Sequence, residues 1–349
     1  MKKKYITPRT LHITDGDRKF IPELIEFFKE FFDYSKHDFI VLSRFPERKI
    51  EDLKYFCTKN KNTPSELDKI IPNYNKIVIH GLLDFYLVRC LLKVNLDFSR
   101  TYWLLWGGDV YCYRNEKGRL RRMYRNFVRK ALISKLQHAG SLIRGGVDLS
   151  RDWYGFRGSY HECMGYVSNT INLNTKLHKR IAFFKKHTVI IGNSGYESNF
   201  HKEIFNLLKK QSNEIKVICP LAYGNQNYID EIISLGTKLF KKNFTPLLNY
   251  LPLNEYYSTL SGVDSGIFAH DREQGTGNVI PLLGMGKKVY LRTTTTQWNT
   301  YLNLGLKIFD YKDFGLHEIS KSDQQQNIEI VGKYFCKENL AKQYELMLT

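Results

Sequence analysis

Two short runs carry residue types suited to holding an anion. Gly192-Asn193-Ser194-Gly195 follows the β-branched stretch Thr188 to Ile191 and precedes a helical pattern from about Asn199 to Lys210. Glycines there let the backbone turn tightly and bring N–H groups close to a phosphate. A following helix adds partial positive charge at its N-terminus. Asn193 and Ser194 add side-chain hydrogen bonds, although four such residues alone read more readily as an ordinary strand-to-helix turn. The second run, Arg272-Glu273-Gln274-Gly275-Thr276-Gly277-Asn278, again lies between an expected strand and an expected helix. Gly275 and Gly277 leave room for close backbone approach. Arg272 can neutralise a leaving diphosphate, and Gln274, Thr276 and Asn278 can bond sugar hydroxyls or phosphate oxygens. The plainer alternative is a surface turn with incidental polar residues. Two anion-suited loops in one half of the chain favour a nucleotide diphosphate as ligand. Tyr223, in the loop Pro220 to Gly224 that closes another expected strand, joins these donor-binding candidates.

The first half offers groups for proton transfer. His80 and Asp109 both fall where a strand is expected to end, in Ile79-His80-Gly81 and in Trp106-Gly107-Gly108-Asp109. Asp17, with Asp15 beside it, lies in the opening loop and is the rival catalytic carboxylate. A base here would take the proton of an acceptor hydroxyl as it attacks an anomeric carbon. Arg and backbone N–H groups would stabilise the departing diphosphate. The bland readings are a structural histidine and an aspartate that caps a turn. Asp15-Gly16-Asp17 has the bare spacing of paired metal-binding acids but sits in the opening loop, and no HExxH occurs. No metal and no cofactor is expected.

The elements that must position these groups alternate along the chain. Strands are expected at Leu11 to Thr14, Phe39 to Leu42, Ile77 to Ile79 and Thr101 to Trp106, and then at Thr188 to Ile191, Ile215 to Cys219, Asp264 to Phe268 and Lys288 to Leu291. Helical patterns separate them, from Phe20 to Phe32, Leu82 to Val94 and Asn227 to Leu235 among others. Strand–helix alternation in both halves predicts parallel sheets in two α/β domains, with ligands beyond the carboxyl ends of the strands. The division predicted is residues 1–184 for an acceptor-binding domain and 185–349 for a nucleotide-sugar-binding domain. The terminal helices, from about Asn327 to Met347, are expected to return to the first.

Composition narrows the partners. With 42% hydrophobic residues in 349, each half can bury its own core. The net charge is +18, from 53 Lys and Arg against 35 Asp and Glu, which favours an anionic partner. Much of that charge lies between Arg114 and Arg144, where Glu116 is the one acid. Leu120, Met123, Phe127, Val128, Ala131, Leu132 and Leu136 recur there at helical spacing, with Arg121, Arg122, Arg125, Arg129 and Lys130 around the rest. This is a basic amphipathic helix, suited to an anionic lipid surface or to a solvated face of its own domain. No nucleic-acid-reading motif is present, so nucleic acid is not an expected partner. The six cysteines are scattered without a CxxC pair, which reads as reduced thiols in the cytoplasm. The most apolar stretch, Ile77 to Val94, contains His80, Asp84, Arg89 and Lys93 and should not span a membrane.

The motifs together resemble a known family. Ile79-His80-Gly81, Trp103-x-x-Trp106-Gly107-Gly108-Asp109-Val110-Tyr111, Ile191-Gly192-Asn193-Ser194-Gly195 and Arg272-x-Gln274-Gly275-x-Gly277 are similar, in order and spacing, to the transferases that add Fuc4NAc to lipid II of enterobacterial common antigen (glycosyltransferase family 56). The similarity is strongest from Lys186 to Tyr301. Glu273 stands where that family is expected to have Gln, and Gly108 where it has Ala. The resemblance implies a GT-B fold, two Rossmann-like domains facing across a cleft. It implies a glycosyltransferase moving a deoxy-amino sugar, Fuc4NAc or a relative, from a dTDP-sugar to an undecaprenyl-diphosphate-linked saccharide. Such an enzyme would work in surface polysaccharide synthesis, for common antigen or O-antigen, peripherally at the cytoplasmic face of the bacterial inner membrane. The alternatives are a non-enzymatic protein that binds nucleic acid or another anionic surface, motivated by the charge, and a sugar-nucleotide epimerase on the same fold.

Overall fold

In a computed structural model the described residues are 9–15, 20–43, 55–171 and 186–349. The chain divides into two compact units, residues 1–168 with 337–349, and residues 169–336.

Unit 1 is built on seven strands: β1 (Thr10–Asp15), β2 (His37–Ser43), β3 (Tyr55–Thr58), β4 (Lys76–His80), β5 (Thr101–Leu104), β6 (His138–Ser141) and β7 (Ser159–Glu162). They form one sheet in the order β3-β2-β1-β4-β5-β6-β7, and every pairing is parallel. Helices α1 (Phe20–Phe31), α2 (Thr63–Ile70), α3 (Phe85–Leu91), α4 (Gly108–Asn115), α5 (Arg119–Ile133) and α6 (Arg144–Tyr154) connect them. The central strands are continuous apolar runs because both faces of a parallel sheet are covered: Phe39 to Leu42 and Ile77 to Ile79 are fully buried. Amphipathic α1 turns Ile21, Leu24, Ile25, Phe27 and Phe28 inward.

Unit 2 repeats the plan with β8 (His187–Ile191), β9 (Ile215–Pro220), β10 (Phe244–Leu247), β11 (Ser265–Phe268), β12 (Lys288–Leu291) and β13 (Phe309–Asp310) in the order β10-β9-β8-β11-β12-β13, all parallel. Its helices are α7 (His201–Leu208), α8 (Gln226–Phe240), α9 (Leu253–Ser261), α10 (Thr276–Gly284), α11 (Thr296–Asn303) and α12 (Lys321–Tyr334). Both sheets therefore share the strand order of the doubly wound nucleotide-binding fold. In each, the direction of winding reverses between the first strand and the fourth, β1/β4 and β8/β11, opening a crevice at the carboxyl edge.

The final helix, α13 (Lys337–Leu348), belongs to unit 1. Gln343 Oε1 accepts from the Met164 amide at 2.8 Å, and buried Tyr344 donates its hydroxyl to the Gly165 carbonyl at 2.6 Å. The basic helix is shorter than its apolar pattern suggests. It ends at Ile133, and His138 to Ser141 become β6 instead, pairing between β5 and β7 where Gly140 is packed closely. A Cβ on Gly140 would stand 2.8 Å from the Met347 sulfur of α13. Likewise β5 stops at Leu104, not at Trp106, because the Trp106 amide bonds the Asp109 carboxylate. Among the described residues no helix is long and apolar enough to cross a membrane.

Tyr344→Ala should therefore destabilise unit 1 by about 3 kcal/mol or more, the range for a truncated buried aromatic. Urea denaturation followed by circular dichroism checks this; an unchanged midpoint would contradict the docking of α13.

Candidate active site

At the crevice of unit 2 the two glycine loops meet. Gly192 follows β8 with φ +67°, and a Cβ there would stand 2.7 Å from Asn199 Oδ1 and 2.9 Å from His201 Nε2. Its carbonyl accepts from Asn278 Nδ2 at 3.3 Å. Gly195 lies against Gly224, in the loop after β9: a Cβ on Gly224 would meet the Gly195 backbone at 2.3 Å, and one on Gly195 would meet Ile229 at 2.2 Å. Gly224 is needed because backbone touches backbone, and Gly192 and Gly195 because side chains fill the space a Cβ would take.

Asn199, fully buried, ties the loop together. Its Oδ1 accepts from the Asn193 amide at 2.8 Å and from His270 Nε2 at 2.9 Å. Its Nδ2 donates to Ser194 Oγ and the Tyr196 carbonyl, both at 3.0 Å. Every hydrogen-bonding position of the carboxamide is used. That arrangement makes His270 Nε2 a donor and leaves Nδ1 as an acceptor. Nδ1 is buried and lacks a partner. Burial holds His270 at about 3 and His201 at about 4, both below the ordinary 6.5, so both rings are neutral.

Gln274 bridges the loops from the other side. Its Nε2 donates to Asn193 Oδ1 at 2.9 Å, and its Oε1 accepts from Ser198 Oγ at 2.9 Å. Gly275, at φ +75°, caps α10 and makes no side-chain cap hydrogen bond to its first turn. Asn278 bonds both Gly192 and the Tyr256 hydroxyl, the latter at 3.0 Å. Glu273 accepts from Thr296 Oγ1 at 2.9 Å, and Arg272 is half-buried at the loop's start. Tyr223 accepts from Asn193 Nδ2 at 3.2 Å and stacks on Tyr250 at 5.8 Å between centroids. Tyr223, Tyr250 and Tyr196 are exposed. The structure thus brings the two sequence motifs and Tyr223 to one edge. It adds Asn199, His270 and Tyr250, which no motif marked; Asn199 stands a few residues beyond Gly195 in the same run.

In unit 1 Asp109 sits in the first turn of α4 with no exposure. Its Oδ2 accepts from the Leu82 amide at 3.0 Å and Trp103 Nε1 at 2.9 Å. Its Oδ1 accepts from the Trp106 and Val110 amides, both at 3.1 Å. Burial pushes this carboxyl up, and the four donors pull it back. The carboxylate fastens the turns after β4 and β5 and keeps no acceptor position open. His80 ends β4 in a different setting. His12 Nδ1 is 3.0 Å from His80 Nε2, His12 Nε2 is 3.1 Å from His37 Nδ1, and His80 Nδ1 is 3.0 Å from the Tyr166 hydroxyl, which also accepts from Trp106 Nε1. Phe39 stacks on His12 at 4.3 Å between centroids. Burial lowers all three imidazoles, His80 to about 3 and His37 to about 4. Asp17 lies outside the described residues. Among those described, no group of three or more His, Cys, Asp and Glu could hold a metal ion.

Comparison with known proteins agrees with this geometry. The family described as 4-alpha-L-fucosyltransferase glycosyl transferase group 56 matches residues 24–344. Sucrose-phosphate synthase from Thermosynechococcus elongatus superposes with a TM-score of 0.66 at 11% identity, over 97% of this chain and 98% of that one. The lipopolysaccharide outer core galactosyltransferase WaaB, in its apo form, gives 0.63 at 8% identity over 97% and 99%. Anabaena HepE in complex with UDP and glucose gives 0.61 at 9% identity over 97% and 94%. At these identities the likeness is one of fold, and the fold is GT-B.

The neutral histidines make stability depend on pH. Below 6.5 an unfolded chain takes up protons that His37, His80, His201 and His270 refuse in the fold until about 3 to 4. Stability should therefore be full above the unfolded value and fall from about pH 6.5 towards 4, by up to about 1.4 kcal/mol per pH unit for each histidine. Urea midpoints measured across that window check it; a flat profile would show that these rings protonate in the folded state.

Proposed function

Because the chain belongs to the group 56 glycosyltransferases and is a glycosyltransferase, we propose that it moves a deoxy-amino sugar, Fuc4NAc or a close relative, from a dTDP-sugar to an undecaprenyl-diphosphate-linked saccharide. The work is done peripherally, at the cytoplasmic face of the bacterial inner membrane, in surface polysaccharide synthesis. Family membership sets the non-enzymatic alternative aside.

The observation that carries the donor reading is the meeting of two glycine turns at the strand-order reversal of unit 2, joined through Asn193 and Gln274. A diphosphate there would receive N–H groups from the first turn of α10 and the Ser194 amide; the amides of Gly192, Asn193 and Gly195 already donate to Ile267, Asn199 and Tyr223. Arg272 supplies the full positive charge that a departing diphosphate needs. Ser194, Gln274, Thr276 and Asn278 are oriented by their own hydrogen bonds, so they meet the donor pre-positioned. Glu273, tethered by Thr296, is assigned to a sugar hydroxyl. The exposed rings of Tyr223 and Tyr250 offer a face to base or sugar.

The acceptor is assigned to unit 1. As its hydroxyl attacks the anomeric carbon, the bond to the diphosphate breaks and the hydroxyl proton must leave. His80, whose Nδ1 is 3.0 Å from the Tyr166 hydroxyl, is kept as the candidate to relay that proton. Asp109 acts by holding the neighbouring turns; Asp17, in the opening loop of the sequence, is kept as the other candidate acid.

Calorimetric titration with dTDP, UDP and GDP in EDTA tests the reading. Selective binding of dTDP is expected, and Arg272→Ala should weaken it by about 10- to 100-fold, the loss of a charge-assisted hydrogen bond. No binding to any of the three nucleotides would remove the donor assignment. Unchanged affinity in Arg272→Ala would move the diphosphate elsewhere.

A further inference from the structure

Helix α5 has two apolar sides where a helix lying on a globular unit needs one. Val128, Leu132 and Ile133 face the core, and fully buried Arg129 joins them, paired with Glu116 at 3.5 Å and donating to the Leu83 carbonyl at 3.3 Å. Leu120, Met123, Tyr124 and Phe127 face outward, with 82%, 59%, 55% and 73% of their surfaces exposed. Their spacing of three and four residues places them in one stripe. At about 100° per residue, Arg119 and Lys130 flank the stripe on one side and Arg121 on the other, all exposed. The amphipathic pattern of the sequence is thus split between a core face and a solvent face.

The stripe continues onto the neighbouring loop and helix. Tyr124 meets Phe85 of α3 edge-on at 5.9 Å, and Leu83 is itself 47% exposed. Between α3 and α5 lies a cavity of about 430 Å³ lined by Leu83, Asp84, Phe85, Tyr86, Arg89 and Arg125. Arg125 lies over the Phe85 ring at 4.7 Å while bonding Glu116 at 2.7 Å. Arg89 is exposed and makes no ion pair among the described residues. Residues 81–84 leave the carboxyl end of β4, so this patch borders the edge of the unit 1 sheet where ligands bind.

We propose that this face of unit 1 docks on an anionic lipid bilayer. Leu120, Met123, Tyr124 and Phe127 enter the boundary between headgroups and acyl chains. Arg119, Arg121 and Lys130 stay at the level of the lipid phosphates. The α3–α5 cavity opens at that level, with Arg89 turned to a lipid phosphate. Charge complementarity selects the occupant: cations line both sides of the apolar stripe, the arrangement that meets acyl chains beneath anionic headgroups. The inference rests on the lipid-linked acceptor proposed above, because it brings the acceptor's membrane to the acceptor unit.

Co-sedimentation of the full chain with vesicles, in physiological salt, tests it. Binding is expected to phosphatidylglycerol-containing vesicles and not to pure phosphatidylcholine vesicles. The double variant Leu120→Ser/Phe127→Ser should bind at least about tenfold more weakly, as should Arg119→Glu/Lys130→Glu. These residues are exposed, so both variants should keep the wild-type circular dichroism and dTDP titration, which separates a failure here from a failure of the donor assignment. Wild-type protein left in the supernatant with anionic vesicles would overturn the proposal. So would undiminished binding by both variants, or a wild-type dimer in solution that the serine variant abolishes without any vesicle binding.

Discussion

In a parallel sheet all strands end at one edge, and the chain must leave that edge through turns whose amides fall outside the ladder. Each unit meets this constraint with one fully buried side chain. In unit 2 the Asn199 carboxamide receives two donors and supplies two, closing the turn after β8 onto His270 of the loop after β11. In unit 1 the Asp109 carboxylate takes four N–H donors, three of them backbone amides, and closes the turns after β4 and β5. The difference suits the surroundings. A carboxylate can only accept, and the unit 1 turns present only donors; the unit 2 loop presents donors and acceptors together. Once these turns are fixed, the neighbouring glycines can adopt their left-handed conformations without leaving amides stranded in the core.

The alternation of strands and helices was legible because buried parallel strands are continuous apolar runs, as in Phe39 to Leu42 and Val189 to Ile191. The last two strands of the first sheet were not. His138-Ala139-Gly140-Ser141 and Ser159-Tyr160-His161-Glu162 are short and polar, and only their neighbours make them strands. The glycine motifs announced themselves as turns next to a helix. Asn199 did not, because its importance lies in the meeting of four partners and not in its residue type. Asp109 could be recognised as an acid near a strand end, but the saturation of its oxygens depends on Leu82 and Trp103, whose positions only the fold defines. For α5 the helical period was evident, while the assignment of Leu120, Met123 and Phe127 to a different side from Val128 and Leu132 depends on where the unit's core lies.

The two units use their buried imidazoles differently. His201 and His270 stand singly beside the glycine turn, each with one ring nitrogen unbonded and enclosed. His37, His12 and His80 stand in a row under α1, with Phe28 and Phe39 against the middle ring. Aromatic walls exclude water from that row and keep the rings neutral, so they must satisfy one another.

That requirement leaves the row the freedom of a one-dimensional ice. A neutral imidazole has one N–H and one lone pair, so His37, His12 and His80 can be ordered in only two ways, and reversing one reverses all. In one order His80 donates to Tyr166, and the tyrosine's own hydrogen is directed away from the row. In the other, Tyr166 spends that hydrogen on His80. The hydroxyl at the carboxyl edge of β4 and the ring at the amino end of β2 therefore share one binary variable, set by whichever end is given a partner first.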